Sequence, residues 1–149
     1  MSDKVTVTAQ MLIRRRVKEV FNAFIDPSKT INFWFTKSSG TLKAGEKVTW
    51  EWEMYGAMAV VTVHEIINNQ LISLAWGEPS TSIDFEFKEI GNQATYVTIK
   101  NYGFNLTGPA LLAAVMDSTG GFTTVLDGLK AYLEHGINLN LIADKFQKG

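Results

Sequence analysis

Residues 47–54 read KVTWEWEM. Val48, Trp50, Trp52 and Met54 fall on one side of an alternating run, and Thr49, Glu51 and Glu53 on the other. A period of two is that of a β-strand. A strand with tryptophans on one face and carboxylates on the other needs a cover for its apolar side. The sequence after it repeats the pattern. Residues 57–67 (AMAVVTVHEII) and 71–76 (LISLAW) read as strands separated by the turn pair Asn68-Asn69. In 82–89 (SIDFEFKE), Ile83, Phe85 and Phe87 oppose Asp84, Glu86 and Lys88. Residues 94–102 (ATYVTIKNY) form the last strand. The connections are short, which makes neighbours antiparallel. Residues 57–67 are apolar on both faces for part of their length. Periodicity there does not choose between Met58, Val60, Thr62 and His64 inward and the alternative with Val61 and Val63 inward.

Upstream, residues 4–13 alternate and predict a strand. Val17, Val20, Phe21, Phe24 and Ile25 then take helical spacing. Asp26-Pro27 ends that helix and opens a second over 27–36, with Asp26 as N-cap and Pro27 at the first helical position. Downstream, Pro109 opens a long helix whose phase is kept by Leu112, Val115, Phe122, Leu126, Leu129 and Leu133, with Val125 beside them. It ends at Gly136. Residues 137–149 read as an ordered, partly helical extension. The order is strand, two short helices, about six antiparallel strands and one long helix. That argues an α+β fold: a curved antiparallel sheet of six or seven strands wrapped on the C-terminal helix. The whole chain, 1–149, reads as a single domain with 137–149 packed on it.

Composition narrows the function. The chain has 149 residues, a formal net charge of −1, 46% hydrophobic and 19% charged residues, and no cysteine. Such a balance gives no basic field for nucleic acid. It excludes thiol chemistry and thiolate metal sites. The two histidines, His64 and His135, stand in no ligand spacing, and no metal or cofactor motif is present. No apolar run is long enough to insert in a membrane, and the N-terminus lacks the order of a secretory signal, so a cytoplasmic protein is expected.

The aromatic share of 11%, with four tryptophans, has two readings: an ordinary core, or a lined cavity. An indole N–H needs a partner when buried, and several on one strand face suit a cavity with polar spots. The candidate ligand-binding residues are Trp34, Trp50, Trp52, Met54, Val60 and Trp76, then Phe85, Phe87, Val97 and Ile99 on later strands. Phe122, Val125, Leu126 and Leu129 form the opposing helix face. No residue is assigned a catalytic role; His64 and Tyr102 are the groups an enzyme would need turned into the cavity. His135 reads as a helix-end cation. Glu51, Glu53, Asp84 and Glu86 fall on the solvated face. Asp117 reads as the cap of a renewed turn. Arg14-Arg15-Arg16 is a solvated run or a docking patch for an acidic partner. Gly120-Gly121 allows close helix–sheet approach or acts as a hinge.

VFNAFIDP (20–27) with Trp34 downstream, Gly45, Gly56, VHEI (63–66), Trp76, GNQATYVTI (91–99) and GGFTTVLDGLKAYLEHG (120–136) resemble, in order and spacing, the START-like (SRPBCC, helix-grip) superfamily. Within it the chain is similar to the branch of the C-terminal domain of the activator of the heat-shock protein 90 ATPase. It differs in carrying Phe122 where that family often has tryptophan, and Arg14–Arg16 where proline or serine usually leads into the first helix. The resemblance implies a helix-grip fold and three functional directions. The first is binding of a small hydrophobic molecule (lipid, aromatic or polyketide-like) between sheet and helix. The second is stimulation of a heat-shock chaperone. The third is a cyclase or hydrolase using the same cavity.

Overall fold

A computed structural model of the chain describes residues 5–147. Lys4, expected in the first strand, lies outside the described residues, as do Lys148 and Gly149 of the C-terminal extension. The elements run β1 (Thr6–Ile13), α1 (Val17–Ile25), α2 (Pro27–Thr30), β2 (Lys37–Ser38), β3 (Lys47–Trp52), β4 (Ala57–Ile67), β5 (Leu71–Trp76), β6 (Thr81–Ile90), β7 (Ala94–Tyr102), α3 (Gly108–His135) and α4 (Leu141–Lys145). The seven strands form one antiparallel sheet in the order β1-β7-β6-β5-β4-β3-β2. This is the helix-grip α+β architecture expected from the order of elements.

Register resolves the ambiguity of residues 57–67. Trp50 lies opposite Ala59 and Trp52 opposite Ala57, so the odd residues of β4 share the tryptophans' face. Val61 and Val63 are buried. Small residues opposite the two indoles leave those rings room along the sheet. Between Val63 and Glu65 the pairing of β4 with β5 shifts by a residue. His64 sits in this bulge and is exposed.

The core lies between the sheet's inner face, α1 and the second half of α3. Ile72, Leu74, Ile83, Phe85, Val97 and Ile99 come from the sheet, and Phe122, Val125, Leu126 and Leu129 from α3. Phe24 of α1 reaches across to Phe33 (5.4 Å between ring centroids), Phe85 (5.1 Å) and Phe87 (5.8 Å). Asp26 caps α2 as expected: its carboxylate accepts from the Ser28 N–H at 3.0 Å and the Ser28 hydroxyl at 2.8 Å. These two bonds hold its pKa below the ordinary value.

Three local differences from the sequence expectation have physical causes. The helix after Pro27 is one turn long, because Ile31–Phe33 become turns that deliver Phe33, Trp34 and Phe35 to the core. The strand from residue 47 stops at Trp52, and Glu53–Tyr55 form a 3-10 turn closed by Gly56 at φ +61°. That hand of backbone is cheap only for glycine. The two-residue edge strand β2 pairs with Glu51 and Trp50. It is too short to carry a periodic signal.

Candidate functional site

The first half of α3 stands off the sheet. All its buried residues lie between Phe122 and Leu129. Where the helix leaves the sheet, a cavity of about 460 Å³ opens. Its floor is a triad of indoles in mutual contact: Trp34 lies 5.8 Å from Trp76 and 6.4 Å from Trp52, and Trp52 lies 6.0 Å from Trp76, centroid to centroid. Phe122 closes onto it from α3, 5.9 Å from both Trp34 and Trp76. Gly121 faces the space with no atom within 4 Å of where a Cβ would stand. Gly120 meets only the Lys145 ammonium, at 3.6 Å. The glycine pair therefore makes room for the cavity and for the C-terminal segment, within a continuous helix.

That segment supplies another wall. Ile142, Lys145 and Phe146 line the cavity beside Tyr55. The Tyr55 hydroxyl lies 2.6 Å from the Ile142 carbonyl and 2.9 Å from that of Ala143, and it accepts from the Phe146 N–H at 3.3 Å. One side chain thus ties the loose carbonyls of α4 to the turn after β3.

The remaining end is polar. Asn101, 3% exposed on the inner face of β7, donates to Thr81 Oγ1 and to the Ser82 carbonyl, both at 2.9 Å. Its Oδ1 accepts from Ser118 Oγ at 2.8 Å. Thr81, Asn101, Asp117 and Ser118 all line the space, as does Glu78 of the β5–β6 loop. The bond that Ser118 donates to Asn101 ties the standing-off half of α3 to the sheet.

Residues 14–134 match the family described as Activator of Hsp90 ATPase homolog 1-like protein. The chain belongs to this family. Among solved structures, this member of the activator-like family is similar to the protein SSP2350 from Staphylococcus saprophyticus. The identity is 30%, with 91% of this chain and 96% of that one covered, at a TM-score of 0.79. DynU16, from the dynemicin biosynthetic locus, superposes with a TM-score of 0.79 at 18% identity. That match covers 89% of this chain and 48% of DynU16, so this chain spans about half its length. The Aha1 dimer from Colwellia psychrerythraea gives 0.75 at 19% identity over 89% and 98%. These last two likenesses concern the fold. No curated protein matches the chain.

Of the residues named from sequence, Trp34, Trp52, Trp76, Phe122 and Val125 stand on the cavity wall of this activator-like domain. Trp50, Phe85, Phe87, Val97, Ile99, Leu126 and Leu129 lie in the packed core instead. Trp50 is stacked on Phe35 at 4.8 Å and fills the layer behind Trp34. Two further placements are corrected. Val60 is 56% exposed on the outer face, because the β3–β4 register turns Ala59 and Val61 inward. Met54 leaves the strand's face with the 3-10 turn and lines a separate, smaller space beside Leu141 and Gly128.

Tyr102 also faces outward. Its hydroxyl donates to the Asp84 carboxylate at 3.0 Å, and Ser73 donates to the same carboxylate at 2.7 Å. Burial first, then the bond to Asp84 and its charge, raise the Tyr102 pKa. The group is a cross-strand staple and a poor proton donor. Asp117 caps nothing, since α3 is unbroken there. Arg15 is bound into the fold: it donates to the Glu134 carbonyl at 2.9 Å, while the Arg14 N–H donates to the Glu134 carboxylate at 2.8 Å.

The wall residues that sequence reasoning missed divide in two. Asn101 and Thr81 were readable, since each continues an inward alternation (Val97, Ile99, Asn101 and Thr81, Ile83, Phe85), and Ser118 keeps helical phase with Phe122 and Val125. Tyr55, Ile142, Lys145 and Phe146 carry no periodic signal, because tertiary contacts place them.

Proposed function

We propose that this protein binds a small, apolar, ring-bearing molecule in the space between its sheet and α3. The observation that carries the reading is the cavity itself. Three indoles and Phe122 present ring faces and edges to a volume within the roughly 300–1,000 Å³ range of small-molecule sites. The sequence has not filled it: Gly121 stands in the middle of the helical wall, where alanine would favour the helix by about 1 kcal/mol.

The test uses the fluorescent amine N-phenyl-1-naphthylamine. Saturable binding should perturb tryptophan emission and raise the melting temperature, because a ligand that binds only the folded state stabilises it. Gly121→Phe places a ring where the Cβ has open space, so this variant should stay folded and lose the dye. Equal binding by the variant and the parent, or no binding by the parent, would refute the proposal.

Family membership favours a second reading, stimulation of a heat-shock chaperone's ATPase. Stimulation that survives Gly121→Phe would assign that role to the surface. A cyclase or hydrolase reading draws nothing from His64 or Tyr102, both of which face away from the cavity.

A further inference from the structure

Hydrogen-bond capacity at the polar end of the cavity can be counted residue by residue. The Asn101 amide is fixed in orientation, because a nitrogen must face the Ser82 carbonyl, which can only accept. Its second N–H is spent on Thr81 Oγ1. Its oxygen therefore faces Ser118 Oγ, which must donate, so the Ser118 proton is committed as well. What remains toward the cavity is the Ser118 lone pairs and the second lone pair of Asn101 Oδ1. The exposed carboxylates of Asp117 and Glu78 stand beside them, and at this polar end the Thr81 hydroxyl proton is the side-chain donor left over among the described residues; the indole N–H groups and the Lys145 ammonium belong to the floor and the C-terminal wall. Among the charged wall residues described, two carboxylates face one ammonium, Lys145. That ammonium lies against Gly120 of α3, and none of the ion pairs among the described residues includes it.

We infer that the ligand places a hydrogen-bond donor, an O–H or N–H on its ring system, against Ser118, Asn101 and Asp117, and that the site discriminates against ring carboxylates. The inference rests on the binding proposal above and adds the chemical class. Asn101 is buried, Ser118 half-buried and Asp117 exposed, so an apolar ring without a donor would take the water from these acceptors and give them no partner, and a carboxylate would bring a third anion beside Asp117 and Glu78.

Three probes of one shape separate the possibilities: naphthalene, 2-naphthol and 2-naphthoate, titrated against tryptophan emission at pH 7. The expected order places 2-naphthol first, about five- to tenfold tighter than naphthalene, the worth of one hydrogen bond. 2-Naphthoate should bind weakest. Asp117→Asn exchanges an acceptor-only group for one with two donors, so it should narrow the preference of naphthol over naphthoate by about tenfold without lowering the affinity for naphthalene. Equal affinity for all three probes would overturn the inference and leave the binding proposal standing. So would tightest binding of naphthoate, abolished by Lys145→Met. If none of the three binds, while N-phenyl-1-naphthylamine also fails, the binding proposal itself falls.

Discussion

Glu134 is the residue on which three parts of the chain converge. Its side chain is 9% exposed and takes the Lys130 ammonium at 2.7 Å and the Arg14 N–H at 2.8 Å. Lys130 also donates to the Leu12 carbonyl. Burial alone would raise the Glu134 pKa. The hydrogen bonds from Lys130 and Arg14, with the charges of Lys130 and His135, outweigh it and leave the pKa below the ordinary value. A carboxylate depressed in the folded state stabilises above its unfolded pKa of about 4.3, and that stability is lost as pH falls through the folded pKa. Glu134→Gln should therefore cost about 1–2 kcal/mol at pH 7. Melting temperatures of parent and variant should draw together as pH falls below the unfolded pKa and through the lowered folded one; a gap independent of pH would show that the charge plays no part. At this scale the sequence showed the arginine run and not its role. Arg15 meets Glu134 across 119 positions, a separation over which no local pattern carries information.

At the level of elements, the strands and α3 were legible and their ends were not. Alternation in Trp50, Trp52, Ile83, Phe85 and Phe87 tells which face is covered, since a slip by one residue would put every one of those side chains in water. It cannot tell where a strand yields to a turn, because Met54 continues the alternation after the backbone has left the sheet. Nor could the glycines of α3 be sorted by sequence. A Cβ on Gly128 would lie 3.3 Å from both the Cβ and the carbonyl oxygen of Phe33. Gly128→Ala should lower the melting temperature despite the helix propensity gained, as overpacking costs about 1–3 kcal/mol. Gly121→Ala meets nothing and should raise it, by about 2–4 °C per kcal/mol for a domain of this size. Thermal unfolding of the two variants checks both signs. If both changed in the same direction, the division of α3 into a packed half and a standing-off half would be mistaken.

For the whole molecule, alternation reveals faces and leaves volumes unread. The residues expected to line a cavity all lie on the inner side except Val60 and Met54, yet seven of them are core. Inward orientation is a local property of the pleat. Whether a side chain meets another side chain or a void depends on how far α3 stands from the sheet, and on a C-terminal segment with no periodicity of its own. That stand-off makes α3 one helix with two local stabilities. From Gly108 to Thr119 it buries no residue, and Leu112 and Met116 are 61% and 66% exposed. From Phe122 to Leu129 it crosses the core. Backbone amides exchange with deuterated solvent through local openings wherever few apolar contacts oppose them. Exchange along α3 should therefore be fast in the first three turns and drop sharply past Gly121. A molecule held between the indoles and Ser118 would slow exchange in those first turns alone, which turns an isotope-exchange map of a single helix into a gauge of cavity occupancy.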